Sequence, residues 1–172
     1  MNDLALNALR VRITRVFPAV IRAAVESLSE EQVWWRPNEA SNSIGNIVLH
    51  VTGSLNHYLN RNLGHLDYSR DREAEFAERR AIPKGELLAA FDEMVAHAER
   101  TFDGLTPEAL GAPSPEPAMH TIVFEDLINI TAHLSNHAGQ IVWIAKMLDG
   151  GAVDEVWIQT HRQLGAWNRE DA

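Results

Sequence analysis

Four stretches of this chain repeat their apolar residues at a period close to 3.6, and no stretch alternates as a strand would. The first runs from about Leu4 to Leu28, with Leu4, Leu6, Leu9, Val11, Ile13, Val16, Val20, Ile21 and Val25 on one broad stripe. Ser29 and Gln32 then match the capping box of a short new helix, which carries Trp34 and Trp35 and ends at Pro37. The second long helix starts at Ser41 or Ser43 and runs to about Leu63, with Gly64 as its stop. Pro83 suits the first turn of the third, whose buried side holds Leu87, Leu88, Phe91, Met94, Val95 and Phe102. The fourth runs from about Thr121 to Leu148, with Glu125 and Asp126 near its positive end, and "DGG" at 149–151 ends it.

These periods predict an all-α four-helix bundle with long connections, since at least two are longer than an up-down-up-down arrangement needs. "GAPSPEPAMH" (111–120) holds three prolines and cannot be helix interior. The polar segment from His65 to Ile82, including "SRDREAEFAERR", reads as a solvated connection and not as a binding site. The expected division is a bundle over 1–150 and a C-terminal extension over 151–172. Trp157 and Trp167 in that extension point to packing on the bundle or on a dimer partner.

Charge and composition exclude several functions. A formal net charge of -9 with scattered basic residues argues against nucleic-acid binding. No apolar run approaches the ~18 residues that span a bilayer, and no secretory signal precedes helix one, so a soluble cytoplasmic protein is expected. The chain has no cysteine, which removes disulfides, thiolate ligands and cysteine nucleophiles from consideration.

What remains is histidine. In "TAHLSNHAGQ" (131–140), His133 and His137 lie four residues apart, about 40° apart in angle and about 6 Å along the axis, so both can reach one ion. Ile130, Leu134, Ile141 and Ile144 turn that face inward. A third ligand must come from another helix. His50 shares a stripe with Ile47, Val51 and Ser54 beside Gly53, small neighbours that leave room for an ion and its waters. His57, about 10.5 Å further along, is too far for the same ion and fits the pocket mouth. The alternative is three core imidazoles bonded to carbonyls or waters, which leaves several buried ring nitrogens needing partners. Three imidazoles without carboxylate or thiolate suit Zn(II), Ni(II) or Fe(II), with open positions for water or substrate.

"EEQVWWRPNEASNSIGNIVLHVTG", "LTPEALG" and "LINITAHLSNHAGQIVWIAKML" together resemble the DinB/YfiT superfamily, over most of the chain apart from the tail. The most specific piece is the helix-two histidine combined with H-x-x-x-H-x-x-Q on helix four. The resemblance implies a four-helix bundle, usually a homodimer, with one divalent metal on His50, His133 and His137. Many relatives read "HRGQ" where this chain has "HAGQ", so Ala138 removes an arginine available elsewhere for an anionic substrate. Gln140 is retained and faces the site, where it either orients a ligand or a bound water or makes an ordinary helix–helix hydrogen bond, and Gly139 is read as allowing close helix approach.

Members of such a family include S-transferases using a low-molecular-weight thiol, related thiol-dependent isomerases, and metal-dependent hydrolases. A hydrolase of this kind wants a carboxylate base, and no Glu or Asp lies on the histidine stripes. That favours transfer of a small thiol to a small electrophile over hydrolysis by metal-bound water. A non-catalytic, metal-stabilised binding or dimerisation module is the third reading.

Overall fold

Helix dominates the computed structural model, which describes residues 2–116, 119 and 121–149. Four long helical stretches pack around one core. The first is α1 (Asn2–Val11), a π-helical segment (Arg12–Val16) and α2 (Phe17–Ser27), end to end. The widened turns precede Pro18, which lacks the N–H that an α-helix would direct at Thr14 and whose ring crowds that carbonyl. Ile13, Val20, Ile21, Ala24 and Val25 are buried as their period requires, whereas Leu4 is 75% exposed and leaves the expected stripe.

The short α3 (Glu30–Trp34) opens with the expected box, Ser29 accepting from the Gln32 N–H and Gln32 accepting from the Ser29 N–H. Trp34 donates its indole N–H to the Ile82 carbonyl and lies across Gly45, where a Cβ would stand 2.8 Å from the ring.

Ser43, and not Ser41, caps α4 (Ile44–Leu55), which continues as a π-helical segment (Asn56–Arg61). Gly64 follows, but it is there for space: a Cβ would stand 2.1 Å from Thr101 Oγ1. The left-handed residue that turns the chain away is His65, at φ 56°.

α5 (Arg72–Ala77) interrupts the segment read as a solvated connection. Asp71 caps it by accepting from the Ala74 N–H at 3.0 Å. α6 (Lys84–Gly104) then follows Pro83, and a 3₁₀ turn (Pro107–Gly111) leads toward α7 (Val123–Asp149). The expected C-terminal extension, with Trp157 and Trp167, lies outside the described residues. No strand occurs among those residues, beyond one isolated bridge between Pro113 and Ile122. No described helix is long and apolar enough to cross a membrane.

Candidate metal centre

α4 and α7 pack on each other, and their facing stripes carry the three histidines to one point. On α7, Ile130, Leu134, Ala138 and Ile141 are buried, so His133 and His137 sit half-buried at the edge of the same face. On α4, Ile47, Val51 and Ser54 are buried with His50. His50 Nε2 lies 3.1 Å from His133 Nε2, and His137 Nε2 lies 3.2 Å from the same atom. Two nitrogens ~2.1 Å from one ion stand about 3.0 Å apart at an octahedral angle and about 3.4 Å apart at a tetrahedral one. The observed separations fall between.

Direct hydrogen bonding explains the cluster poorly. Glu75 Oε2 accepts from His50 Nδ1 at 2.9 Å, and Gln140 Oε1 accepts from His137 Nδ1 at 3.0 Å. With Nδ1 carrying the proton in each ring, both Nε2 atoms present lone pairs toward His133 Nε2. That nitrogen has one in-plane direction, so it cannot satisfy both partners with one hydrogen. A cation at the common point satisfies all three. Burial, reinforced by the charges His137 and His50 would carry, lowers His133 to about 4, and burial likewise lowers His50 and His137. Neutral imidazole is the form that binds metal.

The room beside His50 is already taken. An ideal Cβ on Gly53 would stand 2.0 Å from Glu75 Oε1, so the space read as reserved for an ion and waters is filled by a carboxylate from α5. Arg70 grips that carboxylate with Nε to Oε1 at 2.7 Å and Nη2 to Oε2 at 2.8 Å. Arg70 Nη2 is also 3.2 Å from His50 Nδ1, and since both are donors the shared partner is Glu75 Oε2. Both side chains are nine-tenths buried, which corrects the reading of residues 69–80 as solvated. Burial works to lower the Arg70 pKa, but its bonds and charge pairing with Glu75 raise it overall.

Asn46 holds this arm in place. Its side-chain amide donates to the carbonyls of Glu75 (3.0 Å) and Glu78 (3.1 Å), while its oxygen accepts from the Ser43 hydroxyl. Phe76 covers the His50 ring at a centroid distance of 4.6 Å. Sequence reading missed Glu75 and Arg70 because they carry no periodic signal. Asn46 and Gly53, polar and small on an otherwise apolar stripe, were the available hints.

His57 is not drawn to the three rings; its Nε2 lies 3.5 Å from Glu116 Oε1. Its neighbour Tyr58 lines a cavity of about 220 Å³ that opens beside His50 and His133. Gly139 has no described residue within 4 Å of an added Cβ, so it serves no close approach of a described helix.

An all-helical protein with three converging, neutral imidazoles, two of them braced from behind by Glu75 and Gln140, has a site that can hold a divalent metal ion. The chain belongs to the DinB superfamily, whose family model matches residues 14–141. That span contains α2 through most of α7 and all three histidines. No curated protein and no solved structure matches the chain.

Proposed function

We propose that this protein is a metal-dependent enzyme in which His50, His133 and His137 hold one divalent transition metal, Zn, Ni or Fe, for transfer of a small thiol to an electrophile. The observation that carries the reading is the meeting of three Nε2 atoms, two of them in rings whose Nδ1 partners, Glu75 and Gln140, leave the Nε2 lone pairs aimed toward the third. When bound, a divalent ion in this donor set lowers the pKa of a thiol or a water, making the nucleophilic anion available at neutral pH. The chain's own residues do the rest. Glu75 and Gln140 fix two ring tautomers, Phe76 shields His50 from water, and the cavity beside His50 and His133 receives the substrate.

Thiol transfer is favoured over hydrolysis by how Glu75 is employed. Both of its oxygens are engaged, by His50 and Arg70, so it is not a free base aimed at a water. No carboxylate is among the described residues lining the cavity. A homodimer is part of the proposal, supported by Phe124, Ile128, Trp143 and Met147, large apolar side chains exposed along α7.

Elemental mass spectrometry on untagged protein and on His50→Ala, purified identically, tests the site. A near-stoichiometric transition metal that vanishes in the variant supports it, and thiol-transfer assays across several metals then test the activity. Wild-type protein that stays empty after reconstitution sinks the metal reading. Ester or amide hydrolysis without thiol transfer sinks the transferase.

A further inference from the structure

In a chain of net charge -9, the described residues walling the cavity beside the imidazoles include two arginines and no carboxylate. Arg70 and Arg72 face it together with Ser54, Tyr58 and Asn129. Their two charges differ in how they are held. Glu75 occupies Nε and Nη2 of Arg70, and Nη1 takes no part in those bonds. The same guanidinium lies over the Tyr58 ring, its central carbon 5.8 Å from the centroid. Arg72 lies 5.0 Å from the centroid of Phe76, stacked in place, and pairs with no carboxylate among the described residues. The Arg70–Glu75 pair is roughly neutral, so Arg72 and any bound cation leave this end of the cavity positive.

Apart from Glu75, held behind His50 and Arg70, the nearby acidic side chains face a separate space. Glu116 and Asp126 surround an adjoining space of about 10 Å³, beyond Asn129 and Met119, barely enough for one water. The main cavity, at ~30 Å³ per water, has room for roughly seven waters or a ligand with about as many non-hydrogen atoms. A planar guanidinium donates paired hydrogen bonds to a carboxylate or a phosphate.

We propose that this cavity binds a small ligand through an anionic oxygen group, with Arg72 as the ionic contact and Arg70 as a second donor. The inference names the substrate class for the site proposed above and rests on that reading. A ligand in this cavity lies against His50 and His133 as well as the two arginines, so the thiol of the reaction carries a carboxylate or a phosphate.

The test uses the full chain, as wild type, Arg72→Gln and Arg72→Lys, in metal-free and Co(II)-loaded forms. Arg72 is chosen because it is exposed, whereas changing Arg70 would disturb Glu75 and His50. Thermal melts of each variant confirm folding. Propionate and inorganic phosphate are titrated into the metal-free protein by NMR. At least one is expected to saturate, to weaken with added salt, and to bind roughly tenfold more weakly to Arg72→Gln, the loss expected for one charge-assisted hydrogen bond. Arg72→Lys should recover part of it. Saturation by propionate alone assigns a carboxylate, and by phosphate alone a phosphate.

In the Co(II) form, thiol binding is read from the visible absorption band. 3-Mercaptopropionate should bind more tightly than 2-mercaptoethanol, and Arg72→Gln should remove that advantage if the group is a carboxylate. Failure to take up Co(II) would overturn the metal reading alone, because the metal-free titration still decides the anion site. The proposal falls if neither oxyanion saturates, or if Arg72→Gln binds both as the wild type does.

Discussion

Glu75 Oε2 lies 2.9 Å from His50 Nδ1, although 25 residues and a turn of irregular chain separate the two. This contact joins α5 to the three-histidine group and decides which nitrogen of His50 faces inward. A carboxylate behind a ligand imidazole fixes its ring and raises its basicity.

Glu75→Gln should therefore weaken metal binding by about 10- to 100-fold while leaving all three imidazoles in place. Competition against a chromophoric chelator measures this. An unchanged affinity would show that Glu75 serves Arg70 only. The same substitution leaves Arg70 buried without its counter-charge and should lower stability by ~3 kcal/mol.

Gly53→Ala places a Cβ where Glu75 Oε1 now sits, at a distance of 2.0 Å. The carboxylate must move, so overpacking should cost about 1–3 kcal/mol in chemical denaturation. Metal affinity should fall alongside it, as for Glu75→Gln. A stable variant with full affinity would mean that α5 shifts without consequence for His50.

Gly139 has the opposite sign. It lies mid-helix in α7, exposed, with no described residue near an added Cβ. Gly139→Ala should stabilise the protein by about 0.5–1 kcal/mol by restricting the unfolded chain and favouring helix. Denaturant midpoints with an unchanged slope would establish it.

Acid should destabilise the metal-free protein through its histidines. Burial lowers His133 from 6.5 to about 4, so between these values the unfolded chain binds more protons than the folded one. Stability from this group is fully present above pH 6.5 and is lost as pH falls toward 4. The melting temperature should drop across that window by several degrees. His133→Leu should show a shallower decline than the wild type, and an identical decline would assign the loss to carboxylates instead.

The histidine cluster was legible because helical geometry is local. Four residues on a helix return to the same face whatever surrounds them, so His133 and His137 were paired by their spacing, and the apolar residues around them set the face inward. His50 followed from the same reasoning on α4. The capping box at Ser29 and Gln32 was equally local. The π-helical widening before Pro18 and the left-handed His65 were less so, since both depend on how neighbouring turns accommodate a crowded backbone.

The sequence by itself determined an all-α chain, the inward faces of its long helices and the histidines those faces carry. Tertiary structure alone decided what stands behind and beside them. Residues 69–80 are charged and aperiodic, and composition assigns such a stretch to solvent. Folding instead buries Arg70 and Glu75 against α4, because each neutralises the other, Gly53 leaves the space, and Asn46 satisfies the backbone of α5. A charge loses its preference for water once a partner of opposite sign and enough hydrogen bonds meet it in the interior, and only the folded chain supplies both.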